Sequence, residues 1–232
     1  MSARYQNADE IKQRYIEKMG PDLGAQFAEL WQRVVRVHVY WAEFIEMFGT
    51  KPGRLDLMNS TAPAFFHMVR GELGDMLLLH LSRLTDKPEM KGQKNLTICN
   101  LPLLIKEEPI RTVVAGLVET ALEKTKSCRA RRNKLIAHND LPLALKDPKA
   151  RELDSTTKSD IDEAVRAIGA VLHAVNMHYF ESDTVFKRPG ARINGVVELL
   201  YVIRDGLKAR EEREKRIESG QGTDDDFRHI EV

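Results

Sequence analysis

Apolar residues recur at spacings of three and four along most of the chain, the period of a helix that buries one face. The spacing predicts a short helix over 8–19, stopped at Gly20-Pro21, and a long one over 22–48. The stripe of the second runs through Leu23, Phe27, Leu30, Trp31, Val34, Val35, Trp41, Phe44, Ile45 and Phe48. Gly49 to Gly53 breaks it, and a third helix is expected to open at Ser60 or Thr61, with Pro63 in its first turn, and to reach Leu84. Leu77 to Leu79 are apolar on every side, which places this helix centrally. Residues 86–109, with three prolines, read as a structured connector with a helical turn near 101–105. A fourth helix is expected from Pro109 to about His138, then a loop over 141–157, and a fifth helix after Ser159 through Ile161, Val165, Ile168, Leu172, Val175 and Met177.

Beyond Phe180 the pattern changes. Residues 183–194 read as a linker, Val196 to Leu207 as one more short helix, and 208–232 as a charged, mobile tail with too little apolar area to order it. No run alternates with period two, and no Asn-Gly or Asp-Gly hairpin is flanked by β-branched residues. The expectation is an all-α bundle of four or five long helices over 1–182, with an additional C-terminal helix and the tail after it.

Composition narrows the function classes. The 232 residues hold 36 Lys+Arg against 35 Asp+Glu, a formal charge of +1, so a globally basic nucleic-acid coat is excluded and a local patch is not. Two cysteines, Cys99 and Cys128, lie too far apart for a CxxC site, and no His-x3-His or Glu-x2-His pair occurs; neither a metal nor any other cofactor is expected. No apolar run approaches the ~18–20 residues that span a bilayer, and the N-terminus lacks the apolar core of a secretory signal. A cytoplasmic protein without a membrane partner is therefore expected.

One segment carries chemistry. Residues 124–134 hold six Lys/Arg and no acid, and the run leads through Arg132-Asn133 to His138-Asn139-Asp140. Such a run attracts phosphate, with affinity that falls as salt rises. A guanidinium binds phosphoryl oxygens bidentately, and an imidazole moves protons near neutral pH. Together they are the minimum kit for metal-independent RNA cleavage. The expected roles are Arg132 on the phosphate and His138 as acid/base, with Lys126, Arg129, Arg131 and Lys134 supplying charge to bind RNA. Six steps on a regular helix turn about 240° and rise about 9 Å, so Arg132 and His138 do not lie side by side in one chain. They converge at a frayed helix end, or when two copies meet across a two-fold axis, so a homodimer with a composite site is expected. Arg131, seven before His138, is a rival for the phosphate role.

The stretch Arg132-Asn-Lys-Leu-Ile-Ala-His138 resembles the Arg-polar-x(3–5)-His motif of HEPN domains, and within them the abortive-infection AbiU-type branch. The upstream elements Leu81-Ser-Arg-Leu-Thr-Asp86 and Lys94-Asn-Leu-Thr-Ile98 resemble the segment that precedes the catalytic helix there, and the likeness covers about residues 25–180. The resemblance implies a dimerising HEPN-like helical bundle, a groove between protomers, a metal-independent endoribonuclease, and a place in a toxin–antitoxin or phage-defence system with an antitoxin protein as partner. It gives Asn133 the role of the polar residue that orients the site. HEPN toxins paired with nucleotidyltransferase antitoxins carry a Tyr two residues after the His; here Asp140 stands there, and no Tyr follows until Tyr179.

The remaining candidates read otherwise. Arg83 and Asp86 form either a helix-end salt bridge or support for the site, with Asp140 in the same supporting class; Glu72 and Asp75 are candidates to balance the basic run. His38, His67, His80, His173 and His178 read as structural, and Trp31 and Trp41 as core or interface anchors. The alternative functions are a non-catalytic module that holds RNA or nucleotide in the same groove, and a helical interaction protein.

Overall fold

A computed structural model describes residues 7–49, 51–137, 141–145, 147, 156–181 and 195–228. Helix α1 (Ala8–Met19) opens on a capping box between Asn7 and Glu10, and Gly20, at φ 88°, ends it. Then come α2 (Pro21–Phe48), α3 (Pro52–Thr61), α4 (Pro63–Leu84), α5 (Leu101–Leu104), α6 (Glu108–Lys124), α7 (Lys126–Arg131), a π-helical turn (Arg132–Ala137), α8 (Leu141–Ala144), α9 (Lys158–Phe180) and α10 (Val196–Glu218). The chain is all-α, as its periodicity predicts. The described sheet is one two-residue hairpin, β1 (Glu89–Met90) on β2 (Gln93–Lys94). Its turn residues Lys91 and Gly92 both have positive φ, the mirror-image turn that suits a two-residue hairpin, and the sequence reading passed over it because Lys-Gly is not among the usual signals. Among the described residues no helix is long and apolar enough to cross a membrane.

The chain forms two compact units, residues 1–41 with 72–188, and residues 42–71 with 189–232. In the first unit α6 packs along α9. Its core holds Phe27, Leu30 and Val34 of α2, Leu77 and Leu81 of α4, Ile98 and Leu101, Val114 and Ala121 of α6, and Ile168 and Leu172 of α9. Trp41 belongs to this core at 4% exposure and donates Nε1–H to Asp162 at 2.5 Å; Trp31 is half-buried against the rings of Tyr15 and Phe27. Thr157 and Asp160 close the capping box that starts α9.

In the second unit α3 packs on α10, with Met58, Val196 and Leu200 buried, and the Glu43 carboxylate accepts from the first backbone N–H of α10 at 2.8 Å. Two expectations are corrected here. The break after Phe48 ends at Pro52, because that proline starts α3. The charged run from Lys208 is helical through Glu218, because Lys, Arg, Glu and Ala favour helix without a buried face, and Arg210 with Glu214 at 2.9 Å adds an i,i+4 pair. After it Asp224–Phe227 makes a 3-10 turn tied by Asp226 to Arg216 at 2.5 Å. The expected linker at 183–194 lies outside the described residues.

Two local features have measurable consequences. Gly24 sits where α2 crosses the end of α1, and a Cβ there would overlap the Tyr15 carbonyl oxygen and the Ile16 backbone. Gly24→Ala is expected to cost about 1–3 kcal/mol in denaturant unfolding, although alanine is the better helix former. His38 is pushed down to about 4 by burial. Between the ordinary imidazole value and that point the unfolded chain binds the proton and the folded chain does not, so stability is lost as pH falls from about 6.5 to about 4. Melting curves across that window are expected to show a steeper decline for the wild type than for His38→Gln.

Candidate functional site

The end of α4 and the start of α7 are stitched together by polar groups shut away from water. Thr85 is 1% exposed and Thr125 fully buried. The Thr85 hydroxyl donates to the Leu81 carbonyl at 2.9 Å, and Thr97 donates to the Leu84 carbonyl at 2.9 Å, so the connector after α4 is pinned to that helix end. Thr125 interrupts the expected fourth helix between α6 and α7. Its hydroxyl bonds the Ala121 carbonyl at 2.8 Å and lies 3.3 Å from the Thr85 hydroxyl.

Asp86 follows Thr85, and its Oδ1 accepts from two guanidiniums at once: Arg129 Nη1 at 2.6 Å and Arg132 Nη2 at 3.0 Å. Arg129 Nη2 also donates to the Thr85 hydroxyl at 2.7 Å and to the Thr85 carbonyl. Arg129 thus caps the C-terminal end of α4, where carbonyls without helical partners favour a cation. Arg129 and Arg132 are three residues apart and present the same face to Asp86. The three side chains are 20–28% exposed, so the ion cluster is only partly screened by water. Arg132 Nε is buried and has no hydrogen-bond partner among the described residues.

Arg132 also begins the π-helical turn, so the 240° rotation expected of a regular helix does not apply to the steps after it. Asn133 is exposed, and Arg131 and Lys134 are half-buried with no ion pair among the described residues. His138, Asn139 and Asp140 lie outside the described residues.

The two lysines that open the basic run are balanced by acids, one local and one distant in sequence. Lys124 bonds Glu163 at 2.7 Å, which holds its pKa above the ordinary lysine value, and Lys126 pairs with Glu123. A hollow of about 420 Å³ beside them sets Glu123, Asp160 and Glu163 against Lys124 and Lys126, a wall with more acid than base, which disfavours phosphate. Of the six cations only Arg131 and Lys134 keep a whole unpaired charge among the described residues.

The balancing carboxylates are Asp86, Glu123 and Glu163, not the exposed Glu72 and Asp75, and Asp86 makes no salt bridge with Arg83. His67 and His178 are exposed, the latter with its ring edge-on to that of Tyr179, whereas His38, His80 and His173 are half-buried. Tyr179 donates to Glu107 at 2.8 Å, and burial with that carboxylate pushes its phenol up to about 12. The sequence reading missed Thr85 and Thr125. Nothing local distinguishes them from other threonines; a Thr preceding an Asp at the end of an apolar run was the sole hint.

An all-helical core, with Arg132 latched to Asp86 and Arg-polar-x4-His in the sequence, is consistent with a HEPN-type domain. The chain belongs to the AbiU2 family of HEPN domains, whose family model matches residues 20–199. No curated protein and no solved structure matches it.

Proposed function

We propose that this protein is a metal-independent endoribonuclease of an abortive-infection or toxin–antitoxin system, acting as a homodimer with Arg132 and His138 pooled at a composite site. One observation carries the reading. Arg132 is held by Asp86 through Nη2 alone and its side chain stays 20% exposed, so the guanidinium is oriented with donors left over. That is the condition of a group that receives a phosphoryl oxygen.

The chemistry follows. The ribose 2′-oxygen attacks the adjacent phosphorus, and His138, as neutral imidazole, takes the hydroxyl proton. The P–O5′ bond breaks, and the second His138 of the dimer, as imidazolium, gives a proton to the leaving oxygen. The products are a 2′,3′-cyclic phosphate and a 5′-hydroxyl. Arg132 stabilises the charge on the equatorial oxygens, and Asn133 orients the site.

The test is incubation with total RNA in EDTA and analysis of fragment ends. Cyclic phosphate ends made by wild type and absent with Arg132→Ala and His138→Ala support the reading. Identical patterns from all three proteins end it. Salt-sensitive RNA binding without cleavage marks the non-catalytic alternative, and loss of every effect in an intact fold marks a helical interaction protein.

A further inference from the structure

Outside the Arg132 region, the first unit carries a second concentration of positive charge, and this one is unbalanced. Arg33 and Arg36 stand one turn apart on α2, and Tyr40 one turn further on. The Tyr40 ring meets the His80 ring of α4 at 5.8 Å between centroids, and Arg83 stands one turn past His80. The three guanidiniums are exposed, and none has an ion pair among the described residues. Neighbouring carboxylates are engaged elsewhere: Glu29 with Lys12 at 3.1 Å, and Asp86 with Arg129 and Arg132. The His80 imidazole registers this field. Burial, then Arg83, Arg36 and Arg33, hold its pKa below the ordinary value. Like charges one turn apart repel, so such a surface gains from an anion.

We propose that the face of α2 and α4 carrying Arg33, Arg36, Tyr40, His80 and Arg83 binds the phosphate backbone of single-stranded RNA, as a track separate from the Arg132 site. The identity of the polyanion rests on the function proposed above. The chemistry favours RNA over an acidic protein: guanidinium forks match phosphate oxygens bidentately, and the two interleaved rings are the platform that splayed bases stack on. The same end of α4 supplies Arg83 to the track and, one turn later, Asp86 to Arg132, so one helix links where RNA would be held to where it would be cut.

The test compares the full-length protein with the triple variant Arg33→Gln/Arg36→Gln/Arg83→Gln and with the corresponding triple lysine variant. The probe is a 2′-O-methyl 20-mer, which resists cleavage, titrated between 50 and 200 mM salt. Three lost phosphate contacts are expected to reduce the slope of log affinity against log salt by about 2, and the lysine variant to retain it. Cleavage of a short RNA spanning only the scissile linkage is expected to stay unchanged in the double variant Arg33→Gln/Arg36→Gln, which keeps Arg83. An unchanged slope overturns the track, and so does a glutamine variant that loses polyglutamate binding while keeping RNA binding.

The two proposals fail separately. An unchanged slope with cleavage abolished in Arg132→Ala removes the track and leaves the nuclease. A slope that falls in the glutamine variant, in a protein that cuts nothing, removes the nuclease and leaves the track. A wild type that binds no RNA removes both.

Discussion

Replacing His138 by alanine is expected to slow single-turnover RNA cleavage by about 10²–10⁴, with little change in RNA affinity. The size follows from the role. A proton must leave the 2′-hydroxyl and another must reach the 5′-oxygen, and water near pH 7 performs both poorly. Affinity is set mainly by the Lys and Arg charges, to which the one imidazolium of the pair adds little. Arg132→Ala is expected to differ in kind, lowering both affinity and rate, because its guanidinium meets the phosphate before and during the reaction. The measurement is a quenched single-turnover series with saturating protein. Because each reaction draws on both His138 side chains, a heterodimer of wild-type and His138→Ala chains is expected to fall well below half of the wild-type rate, whereas two independent sites would leave it at half. A His138→Ala rate within threefold of wild type is incompatible with this assignment.

The second large effect is at Asp86. Its carboxylate separates two guanidiniums that are 20–28% exposed, with Thr85 buried behind them. Asp86→Ala removes the shared acceptor and leaves two like charges facing each other with little water. Removing one partner of a buried ion pair costs about 3–5 kcal/mol, and the partial exposure here brings the expected loss to about 2–3 kcal/mol. Adding Arg129→Met to that variant is expected to recover part of the loss, since the repulsion disappears; a double-mutant cycle by denaturant unfolding reads this directly. Cleavage is expected to fall about 10–100-fold in Asp86→Ala, because Arg132 loses its orientation. Asp86→Asn keeps an acceptor oxygen and is expected to fall between wild type and alanine on both scales.

Arg129 thereby changes meaning. The linear pattern offers it as one of several cations for RNA. In the folded chain its nitrogens are spent on Asp86 and on both oxygens of Thr85. That engagement fits a strut between α4 and α7 better than a hand extended to solvent.

Much of the architecture is visible in the order of residues. The stripe from Leu23 to Phe48, the Gly20-Pro21 stop and the Thr157–Asp160 box all act within a turn or two, so α2 and α9 could be read from the chain alone. The family too is legible, because Arg132-Asn133-x4-His138 is a contiguous motif. Local reading failed where burial was its only criterion: α3 has no clear apolar face and starts on Pro52, and the second half of α10 buries almost nothing yet is helical through propensity and the Arg210–Glu214 pair. What local order could not contain is the partnering of charges. Asp86 meets Arg129 and Arg132 across 43 and 46 positions, and Lys124 meets Glu163 across 39. These contacts exist because packing α4, α6 and α9 carries their ends together. A cation's availability depends on whichever acid the fold sets beside it, so the same six charges that look uniform in one dimension separate in three into one strut, two neutralised lysines, two unpaired cations and one half-used guanidinium.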